Sequence, residues 1–469
     1  MVYSRTRELG YKHLIDRQAP VQRALVIHPL RSDAEASRDP DLRLIEACGL
    51  AEALDLEVAD ARLDPIRQVR PGAYFGTGKI EELKAHCEEL KVDVLILDDQ
   101  MSPVQQRNLE KELQVKVVDR TGLILEIFAR RARTREGRLQ VELARLSYEK
   151  SRLVKTWTHL ERQRGGTGKT GGPGERQIEL DRRMIADKIL KLKKELEEVK
   201  RTRALQRASR KRVPYPVIAL VGYTNAGKST LFNRAASAAV LAKDMPFATL
   251  DTTLRAVRTP TGRDVILSDT VGFITDLPTE LVAAFRATLE EVAQADLLVH
   301  VRDIAHEESD NQRRDVELVL DRVLADHDSR PPLIEAWNKI DSLDEAGAAY
   351  VRARAAASGL DGSAQGVCVS ALTGEGVKDL FVLIDSELAL DARPVDLVIG
   401  PDQGAARAWL FRKGAVRHEE TDEQGYTHLK VRLTADDAAR FVAQWPQILS
   451  EVPFVPLSEV PEPVHFLEA

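Results

Sequence analysis

The spacing of apolar positions changes several times along this chain, and each change marks a new part. Up to residue 128, short β-branched runs at 24–28, 92–97 and 115–118 alternate with helical spacings at 41–54, 79–90 and 103–113. Such alternation predicts buried strands between helices, hence an α/β domain with a mainly parallel sheet. From residue 139 the period becomes heptad-like. Leu139, Leu143, Leu146, Leu153, Trp157 and Leu160 fall on one seam, interrupted by Lys150, and Ile178, Ile185, Ile189, Leu192, Leu196 and Val199 on a second. Two helices of about 22 residues, each reaching ~33 Å, would run antiparallel across the short connection between them. Val213-Pro214-Tyr215-Pro216 closes the pair, because proline stops helices. Strand-like runs return at 217–221, 265–269, 333–337 and 367–369. A linker at 391–394 precedes a last segment with strand-like stretches at 408–412 and 428–433 and a helical one at 435–444.

Composition sets outer bounds. At 469 residues the chain has room for three or four domains. No apolar run approaches the ~20 residues of a spanning helix, and Met1-Val2-Tyr3-Ser4-Arg5 lacks a signal-peptide core. Cys48, Cys87 and Cys368 are far apart and form no metal or disulfide pattern, so the expected compartment is the reducing cytoplasm. The net charge of −6 hides a segregation: residues 129–212 carry 26 Lys and Arg against 11 Asp and Glu. A basic element on an otherwise acidic chain points to a polyanionic partner. The connection at 164–176 is glycine-rich, and Arg164, Lys169 and Arg176 give it charge. A slim cationic tip on a stiff arm suits a crowded, phosphate-lined cavity.

The candidate chemistry lies in the third part. Gly222-Tyr223-Thr224-Asn225-Ala226-Gly227-Lys228-Ser229 fits the phosphate-loop pattern, with a strand before it and a helix start after it. Its backbone N–H groups would surround a polyphosphate, Lys228 would reach the β- and γ-phosphates, and Ser229 would sit on Mg²⁺. Asp269-Thr270-Val271-Gly272 ends the next predicted strand. The aspartate is placed to hold Mg²⁺ through water, and Gly272 lets a backbone N–H approach the γ-phosphate. Asn338-Lys339-Ile340-Asp341 supplies a carboxylate able to accept from both N1–H and the amine of guanine, and adenine offers no such pair. Ser370-Ala371-Leu372 suits a backbone contact to the guanine oxygen. The four motifs in this order predict a GTP-binding domain that holds GTP or GDP. Phe247-Ala248-Thr249-Leu250-Asp251-Thr252-Thr253 reads as a switch segment in which three threonines compete for Mg²⁺. Phe273 stands where many small GTPases carry a glutamine, so unaided hydrolysis is expected to be slow. Two glycine-lysine runs, 165–170 and 76–79, lack the full pattern and read as turns. Asp98-Asp99 reads as a solvated pair.

The predicted fold is α/β and multi-domain: an N-terminal α/β domain at 1–128, a basic helical hairpin arm with a Gly-rich tip at 129–213, a P-loop GTPase domain at 214–390 and a small α/β appendage at 391–469. With these residues assembled, the chain resembles the HflX family, of the Obg–HflX branch of translation-associated GTPases. The marks are Tyr74-Phe75-Gly76-Thr77-Gly78-Lys79, Val118-Asp119-Arg120-Thr121-Gly122-Leu123-Ile124-Leu125, Thr158-His159-Leu160-Glu161-Arg162-Gln163, Gly172-Pro173-Gly174-Glu175 and the GTPase motifs. They cover about the first 380 residues. The resemblance implies a cytoplasmic GTPase that binds the large ribosomal subunit and its rRNA, with a role in ribosome splitting, rescue or biogenesis. It also implies that Thr249 is the switch threonine on Mg²⁺, and that Lys228, Thr249 and Gly272 are the catalytic set. Two positions depart from the family pattern: Thr252 replaces a proline and Arg176 replaces a threonine. A monomer is expected. The competing readings are a GTP-gated regulator of a protein partner and an RNA-dependent ATPase using the N-terminal domain.

Overall fold

The computed structural model describes residues 21–31, 38–161, 173–210, 215–236, 246–247, 253–260, 262–275, 291–325, 330–359, 364–389, 393–413, 415–422, 424–433 and 435–448. The chain divides into two compact units, residues 1–35 with 40–120, and residues 36–39 with 121–469.

The first unit holds a four-stranded parallel sheet in the order β2-β1-β3-β4, with β1 Arg23–Arg31, β2 Glu57–Ile66, β3 Val94–Leu97 and β4 Lys116–Asp119. Helices α1 (Pro40–Glu52), α2 (Thr77–Leu90) and α3 (Pro103–Leu113) connect them. Leu25, Ile27, Leu95, Leu97 and Val117 from the strands pack with Leu83, Cys87, Leu109 and Leu113 from the helices. The start of α3 is fixed by Ser102, which accepts from the Gln105 N–H, while the Gln105 side chain accepts from the Ser102 N–H. Strand β2 has no counterpart in the sequence reading. Its Asp60, Asp64 and Pro65 are poor strand formers, tolerated because β2 is an edge strand.

Asp98 is not solvated, contrary to the sequence expectation: it is only 3% exposed. His28 Nδ1 lies 2.8 Å from it, and the buried Arg120 donates to it at 2.5 Å and to Glu46 at 2.6 Å. Burial pushes the Asp98 carboxyl up, but Arg120, His28 and Arg43 outweigh that and hold it below the ordinary range. Lys79, in the second glycine-lysine run, is taken up by Asp64 at 2.7 Å and Glu82 at 3.0 Å.

In the second unit, helices α4 (Arg120–Arg131), α5 (Arg135–Glu161) and α6 (Pro173–Arg210) come first. The heptad seams meet over their described part: Leu146, Ile189 and Leu192 are buried together, with Leu139, Leu143 and Ile185 against them, while the side chains of Leu153, Trp157, Leu160 and Ile178 lie outside the described ones. At 27 and 38 residues the helices exceed the expected length; they span ~40 and ~57 Å. The apolar seam stops before the helix does, since the Lys, Arg, Glu, Gln and Ala that follow are strong helix formers. Arg164 and Lys169 lie outside the described residues. Arg176 falls within α6, with its side chain outside the description.

A six-stranded sheet follows, ordered β10-β9-β8-β5-β7-β6: β5 Val217–Val221, β6 Thr253–Arg258, β7 Asp264–Asp269, β8 Leu297–Asp303, β9 Leu333–Asn338 and β10 Gly366–Cys368. All neighbours are parallel except the edge strand β6. Helices α7 (Lys228–Ala236), α8 (Ser309–Leu324), α9 (Glu345–Ala357) and α10 (Val377–Glu387) belong to it. The last part is an antiparallel sheet β11-β13-β12 (Arg393–Ile399, Thr427–Leu433, Val416–Thr421) with helices α11 (Gly404–Arg412) and α12 (Ala435–Gln444). Residues 408–412, expected as a strand, are helical. Ala406, Trp409 and Leu410 are the buried positions, and that i, i+3, i+4 spacing is the signature of a helix face.

Candidate active site

The loops after β5, β7, β9 and β10 leave the carboxyl edge of one parallel sheet, the edge at which open α/β sheets bind ligands. The loop after β5 runs directly into α7, whose first residue is Lys228, so its backbone N–H groups converge on a helix N-terminus. Lys228 is buried, and its Nζ donates to the Tyr223 carbonyl at 2.7 Å. Burial pulls the ammonium down to about 8, against the opposing pull of Asp269.

The Ser229 hydroxyl donates to Asp269 Oδ2 at 2.7 Å, and Asp269 has no exposed surface. A hydroxyl and a carboxylate at the mouth of the phosphate loop form an oxygen-only donor set, which fits a hard cation such as Mg²⁺. Beside them, the Thr270 hydroxyl donates to the Leu220 carbonyl at 2.5 Å and ties the aspartate loop to β5. Gly272 lies so close to the phosphate loop that a Cβ there would stand 2.9 Å from Thr224 Cα and 3.1 Å from Lys228 Nζ.

Phe273 continues this contact through its backbone. Its N–H donates to the Gly222 carbonyl at 3.0 Å, and its carbonyl accepts from the Thr224 N–H at 2.7 Å. Its ring is 2% exposed, so the side chain is part of the interior. Two residues on, Thr275 holds the Tyr223 hydroxyl at 2.6 Å and also bonds Asp315 at 3.1 Å. No signal in the sequence pairs these three.

Asn338 joins two loops. Its Nδ2 donates to the Ala226 carbonyl at 2.8 Å, and its Oδ1 accepts from the Ala371 N–H at 2.9 Å. Lys339 sits in the left-handed region at φ 65° and pairs with Asp303 at 2.8 Å. Asp341 is exposed on the short 3₁₀ turn Ile340–Ser342. Ser370 is buried and its Oγ accepts from the Thr373 N–H at 3.0 Å, whereas Leu372 is 69% exposed. The structure therefore gathers Gly222 to Ser229, Asp269 to Gly272, Asn338, Lys339, Asp341 and Ser370 to Leu372 around one edge. Of the switch segment, Phe247 is buried at φ 55°, its ring 4.6 Å from that of Phe128. Ala248, Thr249, Leu250 and Asp251 lie outside the described residues.

Behind Asn338 is a buried polar network that the motif reading passes over. Arg302 donates to Glu335 at 2.8 Å, and the Trp337 indole N–H donates to the same carboxylate at 2.6 Å. Burial raises the Glu335 carboxyl, but Arg302 leads the groups that hold it below its ordinary value. The neighbouring His300 is 1% exposed, and burial pulls its imidazole down to about 3. The available signal was the set of His, Arg and Glu inside otherwise apolar strands.

Four family profiles match the chain in sequence: "GTP-binding GTPase N-terminal" over 41–129, "GTP-binding GTPase Middle Region" over 131–210, "50S ribosome-binding GTPase" over 217–339 and "HflX C-terminal domain" over 356–447. The chain is 47% identical over 443 residues to "GTPase HflX" of Magnetococcus marinus, covering 94% of this chain and 99% of the relative. It is 38% identical over 437 residues to "GTPase HflX" of Escherichia coli, covering 93% and 99%. A solved structure described as SsGBP in complex with GDP is 25% identical over 78% of this chain and 98% of its own, at a TM-score of 0.45. The likeness thus runs past the 380 residues over which the motifs are visible, into the last domain. The chain belongs to the HflX family of GTPases.

Proposed function

We propose that this GTPase cycles on the large ribosomal subunit, and that GTP and Mg²⁺ decide when it is engaged. In this reading residues 214–390 bind the nucleotide, residues 129–213 form the docking arm, and residues 1–128 and 391–469 flank them. The observation that carries the nucleotide half is the meeting of Ser229 with Asp269 and of Asn338 with Ala226 and Ala371, at one sheet edge. Lys228 stabilises charge on the β- and γ-phosphates, the N–H of Gly272 meets the γ-phosphate, and Asp341 reads guanine. Ser229 and Thr249, with Asp269, would hold Mg²⁺, which when bound would supply neutralising charge for the phosphates.

The basic arm supports the ribosomal half, as does the match of residues 217–339 to a profile described as a 50S ribosome-binding GTPase. Arg164, Lys169 and Arg176 at its tip contact rRNA. With Phe273 turned inward, the water-orienting group comes from the partner, so the free protein turns over slowly in the cytoplasm. The test is GTP hydrolysis with and without purified large subunits, over a salt series. Acceleration that fades steeply with salt is expected, since neutralised phosphates release counterions. No acceleration at low salt would sink the reading. Density-gradient profiles of whole ribosomes with protein held in the GTP state then separate splitting from rescue or biogenesis.

A further inference from the structure

One aromatic contact ties the switch segment to the base of the arm. The Phe247 ring meets Phe128 edge to face, with centroids 4.6 Å apart and planes at 79°. That geometry sets the electropositive rim of one ring against the face of the other. Both rings are buried, and Phe128 belongs to α4, where Leu123, Ile124, Leu125 and Ile127 are buried as well. Only residues 132–134 separate α4 from α5, and Thr134 caps α5 by accepting from the Gly137 N–H at 2.9 Å. The helix that holds Phe247 is therefore the one that leads straight into the arm.

The backbone of Phe247 carries a second sign of this hold. Its φ of 55° puts a phenylalanine in the left-handed region, which bulky residues seldom enter because Cβ crowds the following carbonyl. Such a conformation persists where the surroundings fix it, and the stack on Phe128 is one such constraint. Thr249 follows two residues later, and two residues of chain reach about 7 Å at most. A pull on Thr249 from the metal and the γ-phosphate therefore acts on Phe247 as well.

We propose that Phe128 is a positioning residue for the switch segment, and that its clasp on Phe247 couples the nucleotide state to the root of the arm. Such coupling is reciprocal: what the nucleotide does to α4 and α5, a partner on the arm does to nucleotide affinity. The proposal rests on the nucleotide reading above and adds to it the contact through which the bound nucleotide reaches the arm. Phe128 has no polar group to offer nucleotide or metal and acts through Phe247.

The experiment follows deuterium exchange at the amides of residues 123–145 in the full chain, saturated with Mg²⁺ and either GDP or a non-hydrolysable GTP analogue. In wild type the rates are expected to differ about fivefold between the two nucleotides. Phe128→Leu keeps the site apolar but removes the aromatic ring, and the difference should shrink to about twofold or less. Phe247→Gly removes the other ring and accepts the positive φ, with the same result. The double variant should change no further than either single one, because the two rings act through each other. A merely structural role would speed exchange equally with both nucleotides and leave their ratio intact. A difference that survives in either folded variant overturns the clasp, and so does a wild type whose exchange ignores the nucleotide. If thermal melting shows that Phe128→Leu is unfolded, Phe247→Gly carries the comparison. Failure of wild type to bind either nucleotide would instead overturn the nucleotide reading beneath the proposal.

Discussion

A Cβ on Gly227 would lie 2.2 Å from Nδ2 of Asn338: the last glycine of the phosphate loop and the asparagine that ties this loop to the base loop share one space. Gly227 also has φ 92°, a region that strains any side chain. Gly227→Ala should destabilise the protein by about 2 kcal/mol or more. It should also weaken GDP binding, because Asn338 must release the Ala226 carbonyl to make room. Thermal unfolding and GDP titration check both effects, and unchanged affinity would contradict the coupling.

The Lys228 ammonium gives a pH dependence with a definite sign. Its folded value near 8 lies below the ordinary 10.5, so between those limits the unfolded chain holds a proton that the folded one has released. Stability of the nucleotide-free protein should therefore rise with pH across that window. GDP affinity should move the other way, falling about tenfold from pH 7 to pH 9 as the cation facing the phosphates is lost. Lys228→Gln should flatten the affinity profile. A flat profile in wild type would count against a phosphate-facing cation.

His300 acts at the acid end. Burial holds its folded value near 3, against the ordinary 6.5, with Glu335, Arg302, Arg313 and Lys228 as the charges around it. Among the described residues its Nδ1 has no hydrogen-bond partner. Stability from this group is complete above about pH 6.5 and is lost as the pH falls toward 3, because only the unfolded chain takes up the proton. Roughly 2 kcal/mol should disappear between pH 7 and 4.5. Denaturant titrations of wild type and His300→Leu should show a shallower acid slope in the variant.

Phe273→Gln tests whether the inward ring matters. If a polar side chain at that position could reach the attacking water, the variant would hydrolyse GTP faster. The ring is buried and its backbone is bonded to Gly222 and Thr224. We therefore expect no gain in single-turnover rate and a loss of about 2–4 kcal/mol in stability.

The nucleotide edge was legible in the sequence because its chemistry demands particular residue types at particular offsets. A glycine must stand where Asn338 approaches, and a hydroxyl must follow Lys228. Contacts that depend on elements far apart in the chain left no such trace. Asp98 looked solvated beside Asp99 until His28 and Arg120, from other elements, enclosed it. Arg234 drew no reading from the sequence, and only the return of the chain after β10 gives it its partners, the carbonyls of Ala371 and Leu372. The Trp409 region read as a strand because a short apolar run does not reveal its period, whereas the burial of Ala406, Trp409 and Leu410 does.

The seam between α5 and α6 has a bearing on how the protein meets a large partner. Leu146, Ile189 and Leu192 form the buried heart of a pair whose longer member runs ~57 Å. Among the described residues few apolar side chains are buried between the two helices, so the pair should open locally more readily than the sheets. Under the docking proposed above, such a pair would adjust its far end to the partner's surface, trading ordering entropy for fit. Deuterium should accordingly enter its amides well before those of β5 and β8.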